Sequence, residues 1–208
     1  MASKHNFLEA TATRRSTVTL KKESPIPDSR IVEIIQHAIK HAPSPFHVQS
    51  SRAVILLHGE HDKLWGMTYD QNKKATPPEI FQFLEPNLKA YRASYGTVLF
   101  FEDPNASLSL PPRLQNLVKT FPEWSDHSQG MNQFVAWTAL CSEGLGCNLQ
   151  HYQTTPAGMQ EHWIQEFGLP LGWVCKAQLV FGTPDGPPRG GVEKTFADLE
   201  SRVKVFGA

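Results

Sequence analysis

Two arginines followed by a serine, Arg14-Arg15-Ser16, are the first residues along this chain that could hold a reactant. Two guanidinium forks and a hydroxyl supply the charge-assisted hydrogen bonds that a phosphate needs once it leaves water. Read alone, the segment is more simply an exposed basic turn. A second segment, Ala42-Pro43-Ser44-Pro45-Phe46-His47-Val48-Gln49, sets a serine between two prolines that stiffen the backbone, as suits a loop lying against a rigid ring. By residue type alone, such a Pro-Ser-Pro is a helix-ending connection. The third, from Gly144 to Tyr152, reads as a glycine-bounded turn whose backbone could approach a ligand because Gly144 and Gly146 put no side chain in the way. A helix C-cap followed by a loop would read the same way.

Other chemistries lack their residues. Cys147 and His151 are four apart, but the neighbouring glycines argue against a helix, and a zinc site would still need two more ligands. His37 and His41 share helical spacing, yet HAIKH lacks the glutamate that follows the first histidine of a zinc-hydrolase motif. No GxGxxG precedes a helix, so no dinucleotide fold is expected. Cys141, Cys147 and Cys175 are odd in number and sparse, which suits a reducing compartment better than a disulfide framework.

Lysine plus arginine and aspartate plus glutamate both number 20, so no global field draws the chain to nucleic acid. With 40% hydrophobic and 19% charged residues, 208 residues can bury a sizeable core as a single domain. No signal-peptide core, lipidation box or membrane-length apolar run is evident, so the expected location is the cytoplasm, with free diffusion into the nucleus.

The elements that must position these residues alternate between helices and a few strands. A short helix is expected over Asn6–Thr13. Asp28 or Ser29 should cap the next helix, which carries Ile31, Ile34, Ile35, Ala38 and Ile39 on one face and stops near His41 before Pro43 and Pro45. Ala53–Leu57 reads as a buried strand ending at Gly59, and Thr97–Phe101 and Val174–Phe181 as two more. Helices are expected at Leu64–Tyr69, at Pro78–Ala93 with a kink or break at Pro86, at Asp126–Leu145, and from Pro156 through Trp163 and Phe167. Trp65, Phe81, Phe83, Tyr91 and Trp124 read mostly as core. The glycine- and proline-rich run from Gly182 to Gly191 precedes a stretch, Lys194 to Phe206, too apolar for a free tail.

Taken in order, the three chemical segments resemble the FMN-dependent nitroreductase family, in the fungal and bacterial branch of the yeast fatty-acid-repression-mutant-like proteins. The resemblance runs from Phe7 to Phe206. It implies an α+β fold with a mixed central sheet flanked by helices, an intertwined homodimer, and a C-terminal arm, about residues 192–208, crossing to the partner subunit. It assigns the flavin phosphate and ribityl chain to Arg14, Arg15 and Ser16, and places Pro43, Ser44, Pro45 and Gln49 against the flavin of the opposite subunit. Leu149, Gln150 and His151 would lie along the isoalloxazine. His47 stands where asparagine is common. Of two basic residues near the C-terminus, Lys194 is the expected phosphate ligand and Arg189 a solvated alternative.

The same resemblance implies electrons passing from NADH or NADPH through FMN to nitroaromatics, quinones or similar electron-poor small molecules, in ping-pong fashion and without a catalytic side chain, since the flavin carries the chemistry. A flavin-binding redox sensor with little turnover, serving a lipid or oxidative-stress response, is the alternative. A flavin-free interaction protein that kept only the fold is a third reading.

Overall fold

This computed structural model describes residues 6–207, apart from the side chains of residues 189 and 190. The sheet is organised by its last strand. In β5 (Val174–Pro184), one edge pairs with β3 (Gly96–Glu102) and the opposite edge with β4 (Gly146–Gln150), while the end of β5 takes the two-residue β1 (Leu20–Lys21). Beyond β3 lies β2 (Ser51–Leu57), so β4 and β2 are on opposite sides of the central pair. All these pairings are antiparallel, and the isolated parallel bridge from Ser16 to Cys147 makes the sheet mixed.

Every residue of β3 is buried, as its unbroken apolar run requires. Alternate residues serve two cores. Val98 and Phe100 join Ile31, Ile35, Ala136, Leu140 and Phe181 beneath α2 (Asp28–His41) and α5 (Phe121–Ser142). Leu99 and Phe101 join Leu64, Trp65, Leu88 and Trp163 beneath α3 (His58–Ala75), α4 (Pro78–Arg92) and α6 (Met159–Glu166). The result is a sheet covered by helices on both faces. Trp65, Phe81 and Tyr91 are core residues, whereas Phe83 is exposed. No described helix is long and apolar enough to cross a membrane.

Several local expectations change. The helix α1 (Phe7–Thr13) is capped by Asn6, whose side chain accepts from the Glu9 amide at 3.0 Å. Asp28 is not a cap for α2: Pro27 holds that position, and the Asp28 carboxylate instead accepts from the Tyr95 hydroxyl at 2.5 Å and meets His58 Nε2 at 2.8 Å. The α4 helix runs through Pro86 undivided. Gly59 does not end β2, because α3 begins at His58, whose φ of 52° turns the chain directly from strand into helix. Pro156 sits in the turn before α6 rather than in its first turn. The five residues from Gly146 form a strand rather than a turn.

Gly182 occupies the tightest approach at this junction. A Cβ there would sit 2.5 Å from the Lys21 carbonyl oxygen and 3.2 Å from the Tyr95 amide, both backbone atoms with little freedom to move. Gly182→Ala is therefore expected to cost on the order of 1–3 kcal/mol. Gly59, with nothing within 4 Å of its would-be Cβ, is expected to tolerate alanine with no loss. Urea melts of both variants against the parent chain check the contrast; equal midpoints would mean that β1 and β5 are not held as described.

Candidate functional site

The end of α1 delivers Arg14, Arg15 and Ser16 to the edge of β4. Ser16 forms its parallel bridge with Cys147, and the Thr17 amide donates to the Cys147 carbonyl at 2.9 Å. Asn148 secures the crossing from the other side, its Nδ2 donating to the Thr17 carbonyl at 2.8 Å. The guanidinium of Arg14 stacks over Trp137 of α5, 4.3 Å from the ring centroid. This stacking holds the cation in place without neutralising it.

The C-terminal segment returns to the same place. Arg15 donates to the Val192 carbonyl at 2.5 Å, and Lys194 Nζ donates to the Ala12 carbonyl at 3.2 Å. Arg14 and Arg15 thus directly precede Ser16, the C-terminal segment meets the same stretch at Arg15 and Ala12, and none of Arg14, Arg15 and Lys194 has a carboxylate partner among the described residues. Three cations without carboxylate partners, on or against one short segment that ends in a serine, are residue types that suit a phosphate. Arg189 is the exception, because its side chain lies outside the described residues. Along β4, Leu149 and Gln150 are half-buried and His151 is exposed just past the strand. Gln150 Nε2 donates to Asn148 Oδ1 at 2.9 Å.

Pro43, Ser44, Pro45 and Gln49 are not part of that cluster. They precede β2 on the other side of the sheet, three strand spacings from β4, or about 14 Å. The loop has a firm shape: Ser44 Oγ accepts from the Gln49 amide at 2.9 Å, and Phe46, His47 and Gln49 all have positive φ. Arg52 braces its end, donating to the Gln49 carbonyl at 2.6 Å while its other nitrogen pairs with Asp103 at 3.0 Å. Ser44, Gln49 and Arg52 line an open cavity of about 770 Å3 with Ile35, Ile39 and Asn132. Phe46 is half exposed, its ring 6.1 Å from that of Trp124.

Neither Trp137 nor Arg52 could be singled out from sequence, because each acts through a contact between distant segments. Behind Arg14 lie two cysteines as well. The Cys147 thiol, by donating to its neighbour, pulls Cys141 below the usual thiol range, and the Arg14 charge adds to the effect against the opposing influence of burial. Burial pushes Cys147 well above that range.

With this geometry in place, comparison with known proteins is decisive. Residues 11–183 match the model of the nitroreductase family. The chain belongs to that family. Among its relatives, the nitroreductase is 33% identical to the putative nitroreductase HBN1 of Saccharomyces cerevisiae over 208 residues, covering 99% of this chain and 100% of the relative. It is 32% identical to the nitroreductase FRM2 of the same yeast, again over 99% of this chain and 100% of the other. These relatives place it in the expected branch. Among solved structures, the nitroreductase CinD of Lactococcus lactis in complex with chloramphenicol superposes with a TM-score of 0.82 at 32% identity, covering 97% of this chain and 100% of that one. A putative nitroreductase from Desulfovibrio desulfuricans in complex with FMN shares the fold alone, at 15% identity and a TM-score of 0.68 over 99% of this chain and 100% of that one. Membership supports an oxidoreductase that works through a flavin.

Proposed function

We propose that this nitroreductase is a homodimeric FMN enzyme that takes electrons from NADH or NADPH and passes them to nitroaromatics, quinones or similar electron-poor small molecules. The observation that carries this reading is that the C-terminal segment folds back onto the stretch of residues 12–16, so that Arg14, Arg15 and Lys194 all belong to or contact that stretch and none is paired with a carboxylate among the described residues. A dianionic phosphate would complete that set. FMN supplies the chemistry when bound, accepting a hydride from the nicotinamide and later giving up electrons.

The chain's own residues bind and orient. Arg14, Arg15, Ser16 and Lys194 hold the phosphate, and Leu149, Gln150 and His151 border the ring. The separation across the sheet supports a site shared between copies, with Pro43, Ser44, Pro45 and Gln49 of a second copy closing over the ring. The C-terminal arm supports the same assembly: Val192, Phe196, Leu199, Val203, Val205 and Phe206 are all well exposed in one chain. Apolar surface of that extent favours a partner. Reductant and acceptor would then use the same open face in turn. CinD has been solved with chloramphenicol and with 4-nitrophenol, two nitroaromatic compounds, and their size class suits the acceptor proposed here.

The test is an absorption spectrum of the purified protein, taken anaerobically before and after NADH or NADPH and again after a nitroaromatic or a quinone. Flavin bands that bleach with the nicotinamide and return with the acceptor are the expected result. Bands that never bleach would leave a sensor, and a protein that stays colourless with added FMN would overturn the reading.

A further inference from the structure

The helix α2 carries two histidines that neither the core nor the proposed flavin site uses. Its apolar stripe of Ile31, Ile34, Ile35 and Ala38 is buried against the sheet. A second side, with Val32, Gln36 and Ile39, lines the open cavity beside Ser44 and Gln49. His37 and His41 belong to neither: spaced i and i+4, they share a third side of the helix, and both are exposed. Their rings are in contact, with centroids 4.5 Å apart and planes inclined at 43°. Among the described residues, no other two imidazoles meet in this way.

That separation has a chemical meaning. A metal about 2.0–2.1 Å from an imidazole nitrogen lies about 3.2 Å from the ring centre, so two rings sharing it at a right angle have centres about 4.5 Å apart, and at the tetrahedral angle about 5.2 Å. The observed 4.5 Å matches the right angle, which is the ligand angle of square-planar and octahedral ions. Rotation about each side chain's last bond aims a nitrogen at the shared point while leaving the ring centres nearly in place. The pair spans the last turn of α2, which ends at His41, and the carbonyls at a helix C-terminus favour positive charge. Lys40, the cation nearest in sequence, lies on the cavity side. Glu33, one turn before His37, is engaged by Arg30 at 3.1 Å, and no group of three or more candidate metal ligands occurs among the described residues. Two protein nitrogens with water in the remaining positions make a labile surface chelate rather than a closed structural centre.

We propose that His37 and His41 chelate one divalent late transition-metal ion that favours right-angle ligand positions, Ni2+ or Cu2+, with water completing its shell. Imidazole suits both ions, whereas Mg2+ and Ca2+ take oxygen ligands. The ion clamps the last turn of α2, from which the chain runs directly into the loop of residues 43–49. The site uses no flavin contact, so it stands apart from the oxidoreductase reading.

The full-length chain, free of any added histidine tag and stripped with EDTA that is then dialysed away, is titrated with NiCl2 in a calorimeter. Binding of one ion per chain is expected, with no heat from MgCl2. His37→Gln and His41→Gln each break the chelate and should weaken Ni2+ binding at least about tenfold. His162→Gln, exposed on α6, should leave it unchanged. Both α2 histidines are exposed, so their replacement leaves the core intact. On the unaltered chain, the electron paramagnetic resonance spectrum of one equivalent of Cu2+ should show splitting from two imidazole nitrogens. Unchanged Ni2+ affinity in both α2 variants would overturn the proposal, as would an equal loss in His162→Gln or a Cu2+ spectrum with a single imidazole nitrogen.

Discussion

Replacing Arg14 with glutamine is expected to weaken FMN binding by roughly 10- to 100-fold while leaving riboflavin binding nearly unchanged. The argument rests on what Arg14 touches. Its guanidinium is fixed over Trp137 at 4.3 Å and has no carboxylate partner among the described residues, so its charge remains available to an anion. A hydrogen bond to a charged group contributes about 1.5–3 kcal/mol, and each 1.4 kcal/mol is about a factor of ten in affinity. Riboflavin has the ring and the ribityl chain but no phosphate, so it isolates the contribution in question. Quenching of flavin fluorescence gives both affinities. If the two ligands weakened together, Arg14 would be supporting the fold through Trp137 rather than holding the phosphate.

Acidification should destabilise the fold between pH 6.5 and 4, with most of that loss traceable to one histidine. His61 is fully buried, its Nδ1 3.0 Å from the Thr97 hydroxyl, which also accepts from Trp65 Nε1 at 2.8 Å. Burial pushes its ring down to about 4, against the smaller opposing effect of Asp62. Above pH 6.5 the ring is neutral in both states and stability is unaffected. Between 6.5 and 4 the unfolded chain takes up a proton that the folded chain refuses, so stability falls as pH falls; below about 4 the difference is constant. The gap corresponds to about 3 kcal/mol in all. Urea melts at pH 7.0 and pH 4.5 should differ by roughly 2–3 kcal/mol for the parent and by far less for His61→Gln. An unchanged pH dependence in the variant would show that carboxylates such as Asp28, held low by Tyr95 and His58, account for the slope.

Much of the framework was legible because its residues carry strong periodic signals. The isoleucine stripe of α2 and the apolar runs of β2, β3 and β5 fall within a few residues of their observed bounds. The start of α3 was hidden because its buried face includes His61, Thr68 and Asn72, which break the apolar pattern. In β4, five residues beginning with glycine look like a turn, and only pairing with β5 makes them a strand. At the site, Arg14, Arg15 and Ser16 were visible as chemistry but not as a place. Their neighbours, Trp137, Cys147 and the returning Lys194, lie more than 100 residues away along the chain. Local residue types cannot encode such meetings. The resemblance to the family implies a site built from separate segments, and β4 and the loop at Gln49 lie on opposite sides of the sheet in one chain.

The position of β5 also bears on how this chain is made. Among the described strands it is the last along the chain, yet β1, β3 and β4 all pair with it. Until Val174–Pro184 emerges, the only one of these strand ladders that can form is the β2–β3 pair, with the far edge of β3 unpaired and the strand at Gly146 lacking its β5 partner. An open apolar edge invites pairing with other chains. Synthesis that stalls before Val174 therefore leaves a species suited to aggregation and dependent on chaperones, and the chain cannot fold piecemeal from its N-terminus as it is translated.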